Sequence, residues 1–106
     1  MSTQWLQRAL DDAAEAAAYI AADRRAAAGR WREGLIDVAE RIATYPDSGR
    51  RVPEVRRPEM REVIYSNFRV IYLVADPPVI VAVRHCRRRL AKRSLRTWAR
   101  EAQEIR

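Results

Sequence analysis

The sequence predicts an α+β fold in the order β-α-α-β-β-β: a helical hairpin packed on a small antiparallel sheet, followed by a basic amphipathic C-terminal helix. Two apolar stripes with helical spacing open the chain. One is Leu6, Leu10, Ala13, Ala17, Ile20 and the other Trp31, Leu35, Val38, Ile42, Tyr45, both spaced 4, 3, 4, 3. Three runs rich in Val, Ile, Tyr and Phe follow, joined by short connections. A final stripe, Ala91, Leu95, Trp98, Ala102, Ile105, restores the helical period.

Each element follows from local chemistry. A short first strand is expected around Trp5. Residues 6–22 are alanine-rich, which favours helix and allows close approach of a neighbour. Asp11, Asp12 and Glu15 lie early in that helix and Asp23, Arg24 and Arg25 at its end, acid early and base late as suits the macrodipole. The second helix must stop before Pro46. With only Asp23–Ala27 between the stripes, the two helices form an antiparallel hairpin. Residues 46–58 are a loop, in which Pro46-Asp47-Ser48-Gly49 is turn chemistry, Gly49 allowing φ > 0.

The next runs, Met60–Tyr65, Phe68–Val74 and Val79–His85, are separated by Ser66-Asn67 and by Ala75–Pro78, so they form an antiparallel meander. In the middle run Arg69, Ile71 and Leu73 share one face, and Phe68, Val70, Tyr72 and Val74 the other. One face can pack on the hairpin, while the other keeps an arginine in view. In the last helix the side opposite the apolar stripe carries Arg89, Lys92, Arg93, Arg96 and Arg100.

Length and composition bound the function. A chain of 106 residues is a single domain, here 1–106 with 91–106 as a helical extension. One cysteine, Cys86, supplies neither an internal disulfide nor a zinc site; no metal and no cofactor are expected. The longest aliphatic runs fall far short of the roughly 20 residues of a membrane span. Residues 1–20 lack the pattern of a secretory signal, and a cytoplasmic protein is expected. The formal charge is +7, all of it in the second half: residues 54–106 hold 13 basic and 6 acidic side chains, while residues 1–53 hold 8 of each. Twenty of the 21 basic residues are Arg, which pairs bidentately with phosphate and carboxylate. From Arg84 through Arg100 there are eight basic residues and no acidic one. Such a field steers toward an acidic partner. Arg84, Arg87, Arg88 and Arg89 are the candidate target-binding residues; a solvated Arg-rich surface is the bland alternative.

The order of these pieces resembles the ParE/RelE toxin superfamily, and its ParE (plasmid-stabilisation) branch fits best. The resemblance rests on Trp5, Ala9-Leu10-Asp11-Asp12, Tyr19-Ile20 and Tyr45-Pro46-Asp47-Ser48-Gly49-Arg50. It continues through Val52-Pro53-Glu54, Arg61-Glu62, Phe68-Arg69-Val70-Ile71-Tyr72 and Val83-Arg84-His85-Cys86-Arg87-Arg88, covering about residues 3–90. It implies a RelE-like fold and a type II toxin held inactive by a cognate antitoxin, with no membrane and no small-molecule substrate. ParE-like members inhibit DNA gyrase. RelE-like members are ribosome-dependent mRNA interferases, and the shared fold does not choose between them.

Cleaving RNA at the 2′-OH needs a base, an acid and positive charge on the phosphate. By position Glu54, Arg69 and His85 match three members of a Glu, Arg, His, Tyr set found in some relatives, and are expected as neighbours on one sheet face. The fourth fails, because Cys86 stands where a Tyr would be expected. The alternative is structural: a Glu54–Arg69 pair holding the loop to the sheet, and His85 capping a strand end. No catalytic residue is therefore assigned, and a gyrase-poisoning interaction protein is preferred to an endoribonuclease. The stripe Trp31, Leu35, Val38, Ile42 is first a core face; by family analogy the outer side of the hairpin is the antitoxin groove, and these four are the candidate antitoxin-binding residues.

Overall fold

A computed structural model describes residues 3–105. The elements are β1 (Gln4–Trp5), α1 (Gln7–Asp23), α2 (Arg25–Thr44), β2 (Arg50–Arg51), β3 (Met60–Tyr65), β4 (Phe68–Leu73), β5 (Val79–His85) and α3 (Lys92–Glu104). The sheet has five strands in the order β1-β5-β4-β3-β2. The meander β3-β4-β5 is antiparallel, as the short connections require. Two short strands extend it. β1 pairs parallel to β5, so the sheet is mixed, and β2, lying inside the segment expected as loop, pairs antiparallel to β3.

The sheet is covered on both faces. Ala9, Ala16, Ala17, Trp31, Leu35 and Ile42 of the hairpin pack on Val70, Tyr72, Ile80 and Val83. On the other face Leu95, Trp98, Ala99 and Ala102 of α3 pack on Met60, Ile71, Leu73, Val79, Val81 and Ala82. Burying Leu95 alone contributes about 2 kcal/mol. The two faces do not alternate strictly along β5. Ile71 faces Ala82 while Tyr72 faces Ile80, so Val81 is an extra residue. This bulge turns Val81 and Ala82 toward the same face and keeps the apolar side chains inside on both sides of it.

Several local expectations change. The turn between the helices is one extended residue, Arg24 (φ −153°), not a five-residue connection. No carboxylate lies in the first turn of α1, which begins at Gln7, and Asp12 has another task described below. Gly49 does not use a positive φ. It is required for space, since a Cβ there would sit 2.6 Å from the Tyr72 hydroxyl and 2.8 Å from the Glu62 carbonyl oxygen. That hydroxyl is buried, donates to the Pro46 carbonyl at 2.6 Å and accepts the Gly49 N–H at 3.1 Å, tying the loop to the sheet. Gly34 serves similarly inside α2, where Tyr65 reaches over it to donate to the Trp31 carbonyl at 3.0 Å.

Candidate functional site

Arg69 lies on β4, on the face of the sheet shared with Ile71 and Leu73. It is not in view. The residue is 7% exposed and its guanidinium is fully engaged. Nη1 and Nη2 donate to the two oxygens of Glu54 at 2.8 and 2.7 Å, a bidentate pair, and Nε donates to Glu62 Oε1 at 2.7 Å. The Glu62 carboxylate has no exposed surface and receives Arg50 Nε on its second oxygen at 2.6 Å. Four charges therefore form one closed chain, Glu54–Arg69–Glu62–Arg50, between the 50–54 segment and β3 and β4. The hydrogen bond from Arg69 holds the Glu54 carboxyl below its ordinary value, with burial acting the other way. The same partnership raises the basicity of Arg69.

His85 ends β5 opposite Phe68, on the hairpin side of the sheet. Its Nδ1 accepts the Arg87 backbone N–H at 3.1 Å, and its carbonyl accepts the Arg88 N–H at 3.0 Å. Its ring meets Phe68 edge-on at 5.3 Å, and Phe68 in turn meets Trp31 at 5.2 Å. The imidazole borders a shallow cleft of about 230 Å³ between α1 and β5, lined also by Asp12, Glu15, Tyr19 and Arg88. Glu54 and Arg69 are thus brought together and His85 is not. Strand alternation puts His85 on the face opposite Arg69, contrary to the expectation of one shared face. His85 caps the turn after the strand, and Glu54–Arg69 fastens the loop.

The basic cluster also divides. Arg84 is not a free surface cation: its Nε donates to Asp12 at 2.9 Å and its guanidinium lies 4.8 Å from the Trp98 ring centre. Arg8 approaches the same ring at 5.0 Å while its Nη1 pairs with Glu101 at 2.7 Å. Two guanidiniums, each held by a carboxylate, therefore clasp Trp98 and lock α3 to α1 and β5. Arg87, Arg88 and Arg89 are exposed and, among the described residues, make no ion pair.

The stripe Trp31, Leu35, Val38 and Ile42 is interior, none of the four exceeding 7% exposure. It packs on the sheet and offers no surface to an antitoxin, which corrects its use as a docking residue set; its reading as a core face stands. Three working residues escaped the sequence. Glu62 could have been found, because alternation from Met60 places it on the buried face beside Arg69. Asp12, which accepts the Val83 backbone N–H at 3.0 Å, and Glu101 act over 71 and 93 positions, and nothing local announces such pairings.

Among the described residues no three His, Cys, Asp or Glu side chains gather as a metal site. No described helix is long and apolar enough to cross a membrane.

A helical hairpin on one face of a small sheet, with a charged loop fastened to its central strand, defines a RelE-like α+β protein. Residues 3–90 match the family described as ParE toxin of type II toxin-antitoxin system, parDE, and the chain belongs to that family. Comparison with curated proteins finds no match. Membership makes the protein a toxin of the type II toxin–antitoxin class, with a cognate antitoxin as its implied partner. Helix α3 begins just beyond the matched residues.

Proposed function

We propose that this protein is a cytoplasmic toxin that poisons DNA gyrase as an interaction protein and is neutralised by a cognate antitoxin. The observation that carries this reading is the closed state of Arg69. All three of its guanidinium nitrogens are taken by Glu54 and Glu62, and the only histidine stands on the other face of the sheet. A phosphate-stabilising arginine needs free donors beside an acid–base pair, and here the donors serve the fold. The exposed arginines after β5 remain as the contact surface for an acidic target. The outer side of the hairpin, where Tyr19 and Ile36 stand exposed, is the surface assigned to the antitoxin.

The test is a supercoiling assay with purified toxin. Inhibition at near-stoichiometric toxin, with His85→Ala fully active, is expected. Absence of inhibition at large excess would reject the gyrase reading. Codon-linked mRNA cuts on ribosomes that disappear in His85→Ala would establish the interferase reading in its place.

A further inference from the structure

We infer that the outward face of α3, with the loop that leads into it, is a binding surface for the phosphate backbone of a nucleic-acid duplex. Lys92, Arg93, Arg96 and Arg100 are all exposed. At about 100° per residue they fall within one arc of roughly 100°, and their rise of 1.5 Å per residue spreads them over roughly 12 Å. Arg87, Arg88 and Arg89 are exposed in the segment that leads into the helix. None of these seven cations makes an ion pair among the described residues, whereas every carboxylate of α3 lies toward its C-terminus, with Glu101 committed to Arg8.

The arrangement does not serve the helix. Cations in the first turns and acids in the last oppose the macrodipole, at a cost of a few tenths of a kcal/mol or more each. Nor does it serve docking onto the sheet, which Leu95, Trp98, Ala99 and Ala102 accomplish from the other side. The clasp on Trp98 holds α3 by its inner side, so the cations stay on its outward side.

The chemistry of the row selects the ligand. Its aromatic residue, Trp98, is buried, so no stacking platform for single strands is offered. The exposed neighbours between the cations, Ala91 and Thr97, provide no large apolar anchor of the kind that centres a protein interface. Arginines without stacking residues or an apolar centre suit repeated phosphates, read by position and not by base. The proposal does not depend on which enzyme or ribosome the toxin attacks.

Fluorescence anisotropy of the full-length toxin tests it, using a labelled 20-base-pair mixed-sequence DNA, the matching RNA duplex and the DNA single strand, each over a range of salt. Duplex binding is expected to weaken with salt at a log–log slope of roughly −3 to −4, corresponding to about four neutralised phosphates. The tighter of the two duplexes identifies the source. Arg96→Gln and Arg100→Gln should each reduce the slope by about one, and Arg96→Glu with Arg100→Glu should weaken binding at least tenfold. Arg24→Gln with Arg25→Gln, exposed cations at the hairpin tip, removes the same two charges as Arg96→Gln combined with Arg100→Gln and should leave affinity unchanged where the α3 pair weakens it. Near-UV circular dichroism verifies that each variant is folded. Equal losses from tip and α3 variants, preference for the single strand, or tighter binding of a poly-glutamate competitor than of either duplex would overturn the proposal.

Discussion

Arg69 grips Glu54 through both carboxylate oxygens, at 2.8 and 2.7 Å, while its Nε is bonded to a second carboxylate, Glu62, that is wholly buried. A buried charge keeps its place only while its partners remain, and removing one member leaves the others desolvated and unpaired. Arg69→Ala and Glu62→Ala should therefore each destabilise the fold by about 3–5 kcal/mol. Glu54 keeps about a quarter of its side chain in solvent, so Glu54→Ala should cost less, about 1–2 kcal/mol. Urea denaturation ranks the three. If the pair is structural, toxicity should follow stability across this series; Glu54→Ala, folded at growth temperature, should still arrest growth.

The same network fixes the acid limb of stability. Hydrogen bonding from Arg69 lowers the Glu54 carboxyl from its ordinary 4.5. A lowered folded value means that the ionised form is favoured by folding. The contribution is complete above about pH 4.5 and is lost as pH falls through the depressed value. Glu54→Gln should flatten that limb. At the alkaline end the sign reverses. Burial raises the Tyr72 hydroxyl above its ordinary 10.0, so its contribution is intact below pH 10 and is lost as pH rises through the folded value. Tyr72→Phe should cost about 1–2 kcal/mol at neutral pH by orphaning the Gly49 N–H and Pro46 carbonyl, and should shrink the alkaline loss. Thermal melts between pH 3 and pH 11 measure both limbs.

The glycines should respond in opposite directions. At Gly49 an added methyl would press on the Glu62 carbonyl oxygen, which is backbone of a central sheet pairing and cannot yield. Gly49→Ala should destabilise by about 1–3 kcal/mol. Gly29 lies exposed within α2 with open space around it. Gly29→Ala should stabilise by about 0.5–1 kcal/mol through helix propensity. Chemical denaturation of the two variants beside the parent checks the pair.

Asp12 guards the edge of β5. β1 pairs only with Val79 and Ile80, so beyond them the strand would present bare backbone. Asp12 takes the Val83 N–H and Arg84 together. Asp12→Ala should cost about 1–3 kcal/mol and should accelerate hydrogen exchange at the Val83 amide more than at Val70 in the sheet centre. It should also loosen the Trp98 clasp, since Arg84 loses its anchor.

Much of this protein was determined by the sequence alone. The helical and strand periods locate α1, α2, the meander and α3 to within a few residues, because each buries one continuous face and its apolar positions repeat at the period of the backbone. The charge asymmetry and the ordered loop and strand residues point to the toxin family before any geometry is known. Tertiary structure decided what the charged side chains do. Glu54, Arg69 and His85 look alike as polar candidates along a chain, yet pleating sends Arg69 and His85 to opposite faces, and a buried Glu62 completes the chain of charges on one of them. The arginines from Arg84 to Arg89 likewise read as one run, but among the described residues only Arg84 finds a carboxylate, 72 positions away. Periodicity is a property of neighbours in sequence, whereas ion pairing depends on neighbours in space, and only the folded chain brings Asp12 to Arg84 and Glu62 to Arg69.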